Sequence, residues 1–361
     1  MRRQLPRAEV AAGPQWREMA LAGSPSMTPE WASAWADAFG ARYGPRPFPH
    51  SHGDAVVPLV RDRRRPWRLE LLGSRELHEP MDALGDPAAV EAVTLSLAAR
   101  GECLDLRRVP AESPLVTAVK VAYQRRGAVV VRPAAATPTL EIDESWAEPE
   151  RHLSKRRRSD LRRAQRRAEA LGPVAYDVVT SDDALEDHLG VFVAVEAAGW
   201  KSRARTALAC QPQHERFFRS YARALATQGQ LRLSFLRIGG QVAAAQYAIQ
   251  RAERLWLLKI GYDESFARCS PGTLLLLRSM ACAAVEGARS VEFLGTAEPW
   301  TARWTSVERP HVRVLAYGRS LQALPSLAED GYRFARLGAR ELRQNRADRA
   351  RHAATSAGGR V

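Results

Sequence analysis

The chain has 361 residues with a formal net charge of +14 at pH 7, and 45% of its residues are hydrophobic. That length exceeds one typical domain and fits two, and the hydrophobic fraction is enough to build packed cores, which excludes a chain disordered throughout. The positive charge predicts attraction to an anionic partner. It does not choose between nucleic acid, acidic lipid, acidic polysaccharide and a phosphate-bearing cosubstrate.

The cysteines and the hydropathy of the chain indicate in which cellular compartment it is expected. The four cysteines lie far apart and beside no histidine cluster (Cys103, Cys210, Cys269, Cys282). This argues against a zinc site or a disulfide framework, and it predicts no bound metal and a reducing cytoplasm. Residues 1–23 lack a continuous apolar segment, so we expect a flexible tail and no signal peptide. No run of 18 apolar residues exists, so no membrane span is predicted.

Residues 24–150 predict a first α/β domain. A helix begins at Thr28-Pro29, where threonine can cap and proline suits the first turn, and Trp31, Trp35 and Phe39 recur at helical spacing. Strand-like and helical runs then alternate at 55–60, 67–72, 88–99, 103–106, 114–125 and 128–131. Residues 133–139, with two prolines around an alanine run, are interpreted as a connector.

A strongly basic helix is predicted between residues 153 and 171, where Gly172-Pro173 ends it. One interpretation is a solvated linker helix that packs Leu153, Leu161, Ala164 and Leu171 inward. The other is a phosphate-binding surface for tRNA or an anionic polymer. The arginines occupy several faces, and no RNA-recognition motif with interleaved aromatic residues accompanies them.

Residues 151–320 predict a second α/β domain with a mixed, largely antiparallel sheet flanked by helices. Three strands at 231–238, 242–250 and 255–262 form an antiparallel meander, with Gly239-Gly240 at one turn. A helix at 271–286, a strand at 290–294 and a strand at 311–317 follow and close this second set. Residues 321–361 are predicted to form one helix and a basic, disordered tail.

The loop before the predicted helix at Pro271 carries the strongest chemical signal. A helix N-terminus leaves backbone N–H groups without intrahelical partners and carries partial positive charge. Gly272 lets a phosphate approach the backbone, and Arg268 adds a positive charge. The alternative is an ordinary helix start at which Ser270 caps. The predicted contacts to a pyrophosphate are Lys259, Arg268, Ser270, Pro271, Gly272 and Thr273.

Further motifs stand in order along both halves. The second half contains Leu153-Ser154-Lys155, Trp200-Lys201, Gln246, Tyr262-Asp263, Ser270-Pro271-Gly272 and the segment from Glu292 to Trp304. The first half adds Ser24-Pro25, Leu72-Gly73 and Leu104-Asp105-Leu106. With these motifs, residues 24–320 resemble the GNAT acyltransferases, specifically the Fem-like and cellulose-biosynthesis-type group with two tandem GNAT-like domains.

The resemblance implies direct acyl transfer from acyl-CoA, with acetyl-CoA as the first candidate, in the second domain. The first domain lacks a comparable glycine-rich loop, so it is expected to be a degenerate GNAT-like domain that shapes the acceptor cleft. Two departures stand out. The usual Gln/Arg-x-x-Gly-x-Gly/Ala signature is present only as Arg268-Cys-Ser-Pro-Gly272-Thr273, and an aromatic–lysine pair is replaced by Trp300-Thr301.

Acyl transfer requires a polarised carbonyl, a proton acceptor for the amine and a proton donor for the departing thiolate. A backbone N–H near Trp256–Lys259 is predicted to polarise the carbonyl. Asp263 and Glu298 are the candidate bases and Tyr262 the candidate acid. The alternatives are a capping role for Asp263, a helix-start role for Glu298 and core packing for Tyr262.

Four residues are candidates for contact with the acceptor: Trp200, Gln246, Trp300 and Trp304. For the tryptophans the alternative is simple core packing, and for Gln246 it is solvation on an edge strand.

The leading functional hypothesis is an N-acyltransferase acting on an amine of a sugar, a polysaccharide precursor or a natural-product intermediate. A Fem-like aminoacyltransferase, with aminoacyl-tRNA as donor, is the second hypothesis, favoured by the net charge and the basic helix. The third is a non-catalytic basic binding protein on a decayed GNAT fold.

Overall fold

The computed structural model describes residues 14–44, 50–52, 54–181, 184–199 and 203–336. The helices are α1 (Pro14–Met19), α2 (Pro29–Phe39), α3 (Pro87–Ala99), α4 (Pro114–Gln124), α5 (Lys155–Glu169), α6 (Leu185–Ala197), α7 (Pro212–Ala226), α8 (Pro271–Val285) and α9 (323–336). The strands are β1 (His50–His52), β2 (Ala55–Val57), β3 (Leu59–Val60), β4 (Leu69–Leu71), β5 (Leu84–Gly85), β6 (Leu104–Pro110), β7 (Gly127–Glu141), β8 (Val174–Val179), β9 (Leu231–Ile238), β10 (Gln241–Arg251), β11 (Arg254–Tyr262), β12 (Ser290–Glu292) and β13 (Glu308–Gly318).

The predicted start of α2 is confirmed. The Thr28 hydroxyl accepts a hydrogen bond from the Trp31 amide at 3.2 Å, and Pro29 occupies the first turn. Trp31, Trp35 and Phe39 all face the core. The first-turn amide is thereby satisfied, and the aromatic face anchors this helix against α7 through edge contacts of Trp31 with Phe217 and Tyr221.

Ten strands form one continuous mixed sheet in the order β3-β4-β6-β13-β7-β12-β11-β10-β9-β8, and a small second sheet holds β1, β2 and β5. The predicted meander is confirmed, because β9, β10 and β11 pair antiparallel in succession. Helix α8 packs on one face of the sheet through Leu276 and Met280, which meet Leu255 and Leu257 of β11. Trp256, between Leu255 and Leu257 in β11, points to the other face of the sheet, which α2, α6 and α7 cover.

Strand β7 differs most from expectation. The predicted connector at 133–139 is wrong, because these residues continue a 15-residue strand. The first part of β7 pairs with β13, and its last three residues pair with β12. Pro133 and Pro138, which cannot donate to a ladder, lie opposite Val312 and Glu308, on either side of a register shift between Arg309 and His311. Long-range pairing therefore overrides the local proline signal.

The final strand also lies elsewhere than expected. The sequence predicts that residues 311–317 close the second half, but β13 lies between β6 and β7, beside the first half. Buried charges hold it there. Asp105 of β6 is fully buried and accepts hydrogen bonds from Arg313 of β13 at 2.7 and 2.9 Å. Asp330 of α9 joins this network through Arg68 at 2.9 Å.

The ends of the chain agree with expectation in part. The flexible tail predicted for residues 1–23 is wrong from residue 14 onward, because α1 forms and Trp16 is buried, donating its indole N–H to the Met27 carbonyl at 2.8 Å. Residues 1–13 lie outside the described part of the chain. The predicted helix after residue 320 is confirmed as α9, and the predicted basic tail from 343 lies outside the described residues.

Candidate active site

The centre of the sheet opens where β11 and β12 part. These parallel strands pair over three residues, from Arg254 with Ser290 to Trp256 with Glu292, and β11 then continues to Tyr262 without β12. On its other edge β11 carries a bulge: Lys259 pairs with Tyr247 and Leu257 with Ala248, which leaves Leu258 out of the pairing. A bulge re-aims backbone groups away from the ladder. The segment Trp256–Lys259, predicted to polarise a carbonyl, thus coincides with the opening.

Helix α8 begins at the far end of the same opening. Ser270 precedes the helix with a left-handed φ of 48° and makes no side-chain capping bond, so the alternative in which Ser270 caps is wrong. A Cβ built on Gly272 would meet the Tyr262 ring at 3.8 Å and no other described atom within 4 Å. The first turn is therefore accessible beside a half-buried tyrosine, as anion binding at a helix N-terminus requires.

The six predicted pyrophosphate contacts divide into two groups. Arg268, Ser270, Pro271, Gly272 and Thr273 lie together at this helix start. The Arg268 side chain is exposed, and its carbonyl accepts a hydrogen bond from Arg167 of α5 at 3.1 Å, which braces the loop. Lys259 lies apart from the others: its Nζ stands 5.3 Å from the ring centroid of Phe218 on α7, on the opposite face of the sheet from α8.

The predicted catalytic residues have structural partners. Asp263 accepts the amide of Ser265 at 2.8 Å and caps the short turn that leads toward α8. Glu298 is exposed and accepts the indole N–H of Trp300 at 2.9 Å. Tyr262 packs against an apolar cluster beneath α8. Their proposed roles stay predictions.

Of the predicted acceptor contacts, Trp200 lies outside the described residues. Gln246 is 1% exposed and β10 lies between β9 and β11, so its placement on an edge strand is wrong. Its Nε2 has no hydrogen-bond partner in the described chain. Trp300 and Trp304 are partly buried on the face of the sheet that α8 covers. The guanidinium carbon of Arg157 lies 4.8 Å from the centroid of the Trp304 ring.

Sequence reasoning missed a cavity of about 320 Å³ at the vertex of the opening. Trp256 and Glu292, the last paired residues of β11 and β12, line it together with Trp31 of α2. From the first half come Glu79 and the loop that follows it, and His311 is contributed by β13. Both halves of the chain therefore build this cavity.

Two titratable groups of the cavity are strongly perturbed. Burial raises the pKa of Glu79 to about 7, although the positive charges of Arg108 and Lys259 oppose this. Burial, assisted by Arg108, lowers the pKa of His311 to about 4. Such shifts concentrate at functional sites. No local motif marks Glu79, because residues 79, 108, 259 and 311 come together only in the folded chain.

A second concavity of about 880 Å³ runs between α5, α8 and residues 147–151. We call it the basic groove, defined by five cationic side chains for which the described residues provide no ion pair: Lys155, Arg158, Arg162, Arg166 and Arg278. The apolar side of α5 packs Leu161 and Ala168 inward. Leu153 is also buried, but Leu171 is exposed, so its predicted inward packing is wrong. The phosphate-binding interpretation of the basic face stays a prediction.

Neither a metal-binding cluster of three or more ligands nor a helix able to cross a membrane is present in the described ranges.

The backbone segment predicted to polarise a carbonyl and the helix start predicted to hold a pyrophosphate thus border the same opening. Residues 155–301 match the family model described as the acetyltransferase (GNAT) domain. Residues 155–301 therefore form a GNAT-type acetyltransferase domain, and the protein is an acyltransferase, as the sequence predicts.

Solved structures share the fold over most of the chain. The structure of FemX is 12% identical, with a TM-score of 0.59 over 90% of this chain and 98% of its own. The C-terminal domain of a putative lysylphosphatidylglycerol synthetase from Agrobacterium fabrum is 10% identical, with a TM-score of 0.54 over 87% of this chain and 93% of its own. At these identities the similarity concerns the fold alone. No curated protein matches the chain.

Proposed function

We propose that the protein transfers an acyl group from acyl-CoA, with acetyl-CoA as the first candidate, to the amine of a small molecule. The observation that carries this proposal is the alignment of the parted strands, the Leu258 bulge and the uncapped start of α8 along one opening. The first turn of α8 and Arg268 would hold the pyrophosphate. The amide of the bulge would hydrogen-bond the thioester oxygen as negative charge develops on it.

Binding of the donor is tested by thermal unfolding with and without acetyl-CoA, and catalysis by mass spectrometry of amines incubated with both. We expect a higher melting temperature and an acetylated product. A protein that shows neither, with acetyl-CoA and longer acyl-CoA donors, is not a CoA-dependent transferase.

A second donor, aminoacyl-tRNA, is favoured by the basic groove. Its five cations lie along α5 and α8, and α5 braces the loop before α8 through the Arg167 contact with Arg268. A phosphodiester chain in the groove would therefore end near the same helix start. The Fem-like resemblance implies this donor as well.

The two donors are separated by their salt dependence. If about five phosphates contact the groove, log Kd for tRNA should change with log salt concentration with a slope of about 4. Replacing both Arg162 and Arg166 with alanine should lower that slope by about 2 and leave the acetyl-CoA response intact. A slope near zero would exclude tRNA as the donor.

A further inference from the structure

The cavity at the vertex of the opening is built to hold a ligand. Three buried polar atoms on its wall have no hydrogen-bond partner among the described residues: Trp31 Nε1, Glu79 Oε2 and His311 Nδ1. Each such group left unsatisfied costs about 1–3 kcal/mol. The three residues that carry these atoms line one cavity, which favours a bound molecule as their partner.

The remainder of the wall is largely apolar. Alongside the two indoles stand aliphatic and thioether side chains and prolines, namely Pro25, Met27, Pro80, Met81, Leu84, Pro110 and Leu294. A volume of about 320 Å³ is at the lower end of the range for small-molecule sites. The cavity therefore fits a small molecule with an apolar or aromatic body and few polar groups.

Glu79 differs from the other carboxylates of this wall. Glu292 is bound by Arg309, with contacts of 2.8 to 3.3 Å, and Asp82 accepts the Ser113 hydroxyl and the Ala83 amide. Glu79 Oε2 has no such partner among the described residues. The charged groups that act on Glu79 are Arg108 of β6 and Lys259 of β11, and the other titratable residues on the wall are Asp82, Arg254, Glu292, Arg309 and His311.

Arg108 links the backbone beside Glu79 to the segment that follows β12. Its guanidinium donates to the His78 carbonyl at 2.5 Å, next to Glu79, and also to the Gly295 carbonyl, just beyond β12. Arg108 has a left-handed φ of 52° and lies where the pairing register of β6 and β13 shifts. One side chain thus ties the Glu79 segment to the strand end that borders the opening.

We propose that this cavity is the acceptor site, that it takes a small primary amine on an apolar or aromatic body, and that Glu79 is the proton acceptor. This rests on the proposed function. The amine nitrogen attacks the thioester carbon, the C–N bond forms and the C–S bond breaks. The Glu79 carboxylate takes one proton from the nitrogen, and the CoA thiolate leaves and takes one proton from solvent, giving an amide and free CoA. Glu79 then releases its proton to solvent.

The first test measures the proton itself and requires no substrate. The difference in proton uptake between wild type and Glu79→Gln, from potentiometric titration between about pH 3 and pH 9, should show one proton with a midpoint near pH 7. A difference centred near the ordinary glutamate value of 4.5 would contradict the proposal, since Glu79 would then behave as an ordinary surface carboxylate.

The second test measures turnover with acetyl-CoA and four amines: hexylamine, 2-phenylethylamine, tyramine and glucosamine. We expect acetylation of the first three, and a fall in kcat/KM of about 10²-fold or more in Glu79→Gln together with loss of the pH limb near 7. Glu112→Gln, at an exposed glutamate after β6, is the matched control and should retain wild-type rates.

The outcomes distinguish the two proposals. Acetylation of glucosamine alone, or of none of the four amines while the acetyl-CoA melting shift persists, overturns the acceptor class. Glu79→Gln rates within about threefold of wild type overturn the role of Glu79. Absence of any acetyl-CoA response overturns the proposed function instead, and the proton titration still reports on Glu79.

Discussion

Replacing Gly272 with valine should abolish acyl-CoA binding without unfolding the protein. A Cβ at this position would have only the Tyr262 ring within 4 Å, at 3.8 Å, so the first atom of a larger side chain fits. The two γ-methyl groups of valine would cover the amides of the first turn of α8, where the pyrophosphate is expected. Because the backbone at Gly272 does not need a left-handed conformation, the fold should tolerate the change.

The size of the effect follows from linkage. A ligand at about 100-fold above its Kd stabilises the native state by about 2.7 kcal/mol. An unfolding entropy of about 2.1 cal/mol/K per residue over 361 residues is about 0.76 kcal/mol/K, if the chain unfolds as one unit. The wild-type melting temperature should therefore rise by about 3–4 °C. In Gly272→Val the rise should fall below about 1 °C, which corresponds to a Kd weakened by about two orders of magnitude.

The assay is differential scanning fluorimetry across an acetyl-CoA titration. Gly190→Val is the matched control, because Gly190 also lies in a helix, α6, and a Cβ placed there would have no atom within 4 Å. That variant should keep the full shift. A Gly272→Val protein that keeps it too would refute the assignment of the α8 start as the phosphate site.

Three further predictions concern stability. Asp105→Asn should destabilise the protein by about 3–5 kcal/mol in urea unfolding, because it removes the buried carboxylate that pairs with Arg68, Arg107 and Arg313. A loss under about 1 kcal/mol would contradict this. Gly261→Ala places a Cβ 2.6 Å from the Glu196 Cα, so we expect the free energy of unfolding to fall by about 1–3 kcal/mol in the same measurement. An unchanged free energy of unfolding would contradict this and would mean that α6 moves freely. Burial raises the pKa of Glu79 from 4.5 to about 7, so between these pH values the folded state binds more protons than the unfolded chain. Wild-type stability relative to Glu79→Gln should therefore fall as pH rises through that window, and a rise would contradict the sign.

Local sequence signals are sufficient for several elements. The meander β9–β11 is predictable because Gly239-Gly240 marks its first turn between alternating strands, and α8 because Pro271 suits a first helical turn. The accessible end of α8 follows from the same signals. In each case residues adjacent in sequence determine the structure.

Elements set by distant partners are not predictable in this way. Strand β13 inserts beside β6 because Arg313 reaches a buried Asp105, which lies 208 residues earlier in the chain. The prolines of β7 suggest a connector, whereas pairing with β13 and β12 makes a strand of them. Glu79 gains its raised pKa only from enclosure by both halves, so no sequence signal marks it, whereas Asp263 and Glu298 stand near conspicuous motifs.

The central claim is that acyl-CoA enters the opening between β11 and β12 with its pyrophosphate at the start of α8. A crystal structure of the protein with acetyl-CoA tests this most directly. We expect pyrophosphate oxygens within hydrogen-bond distance of the Gly272 or Thr273 amide and the thioester oxygen facing the Leu258 amide. Density for the cosubstrate in the basic groove alone, with the opening between the strands left empty, would contradict it.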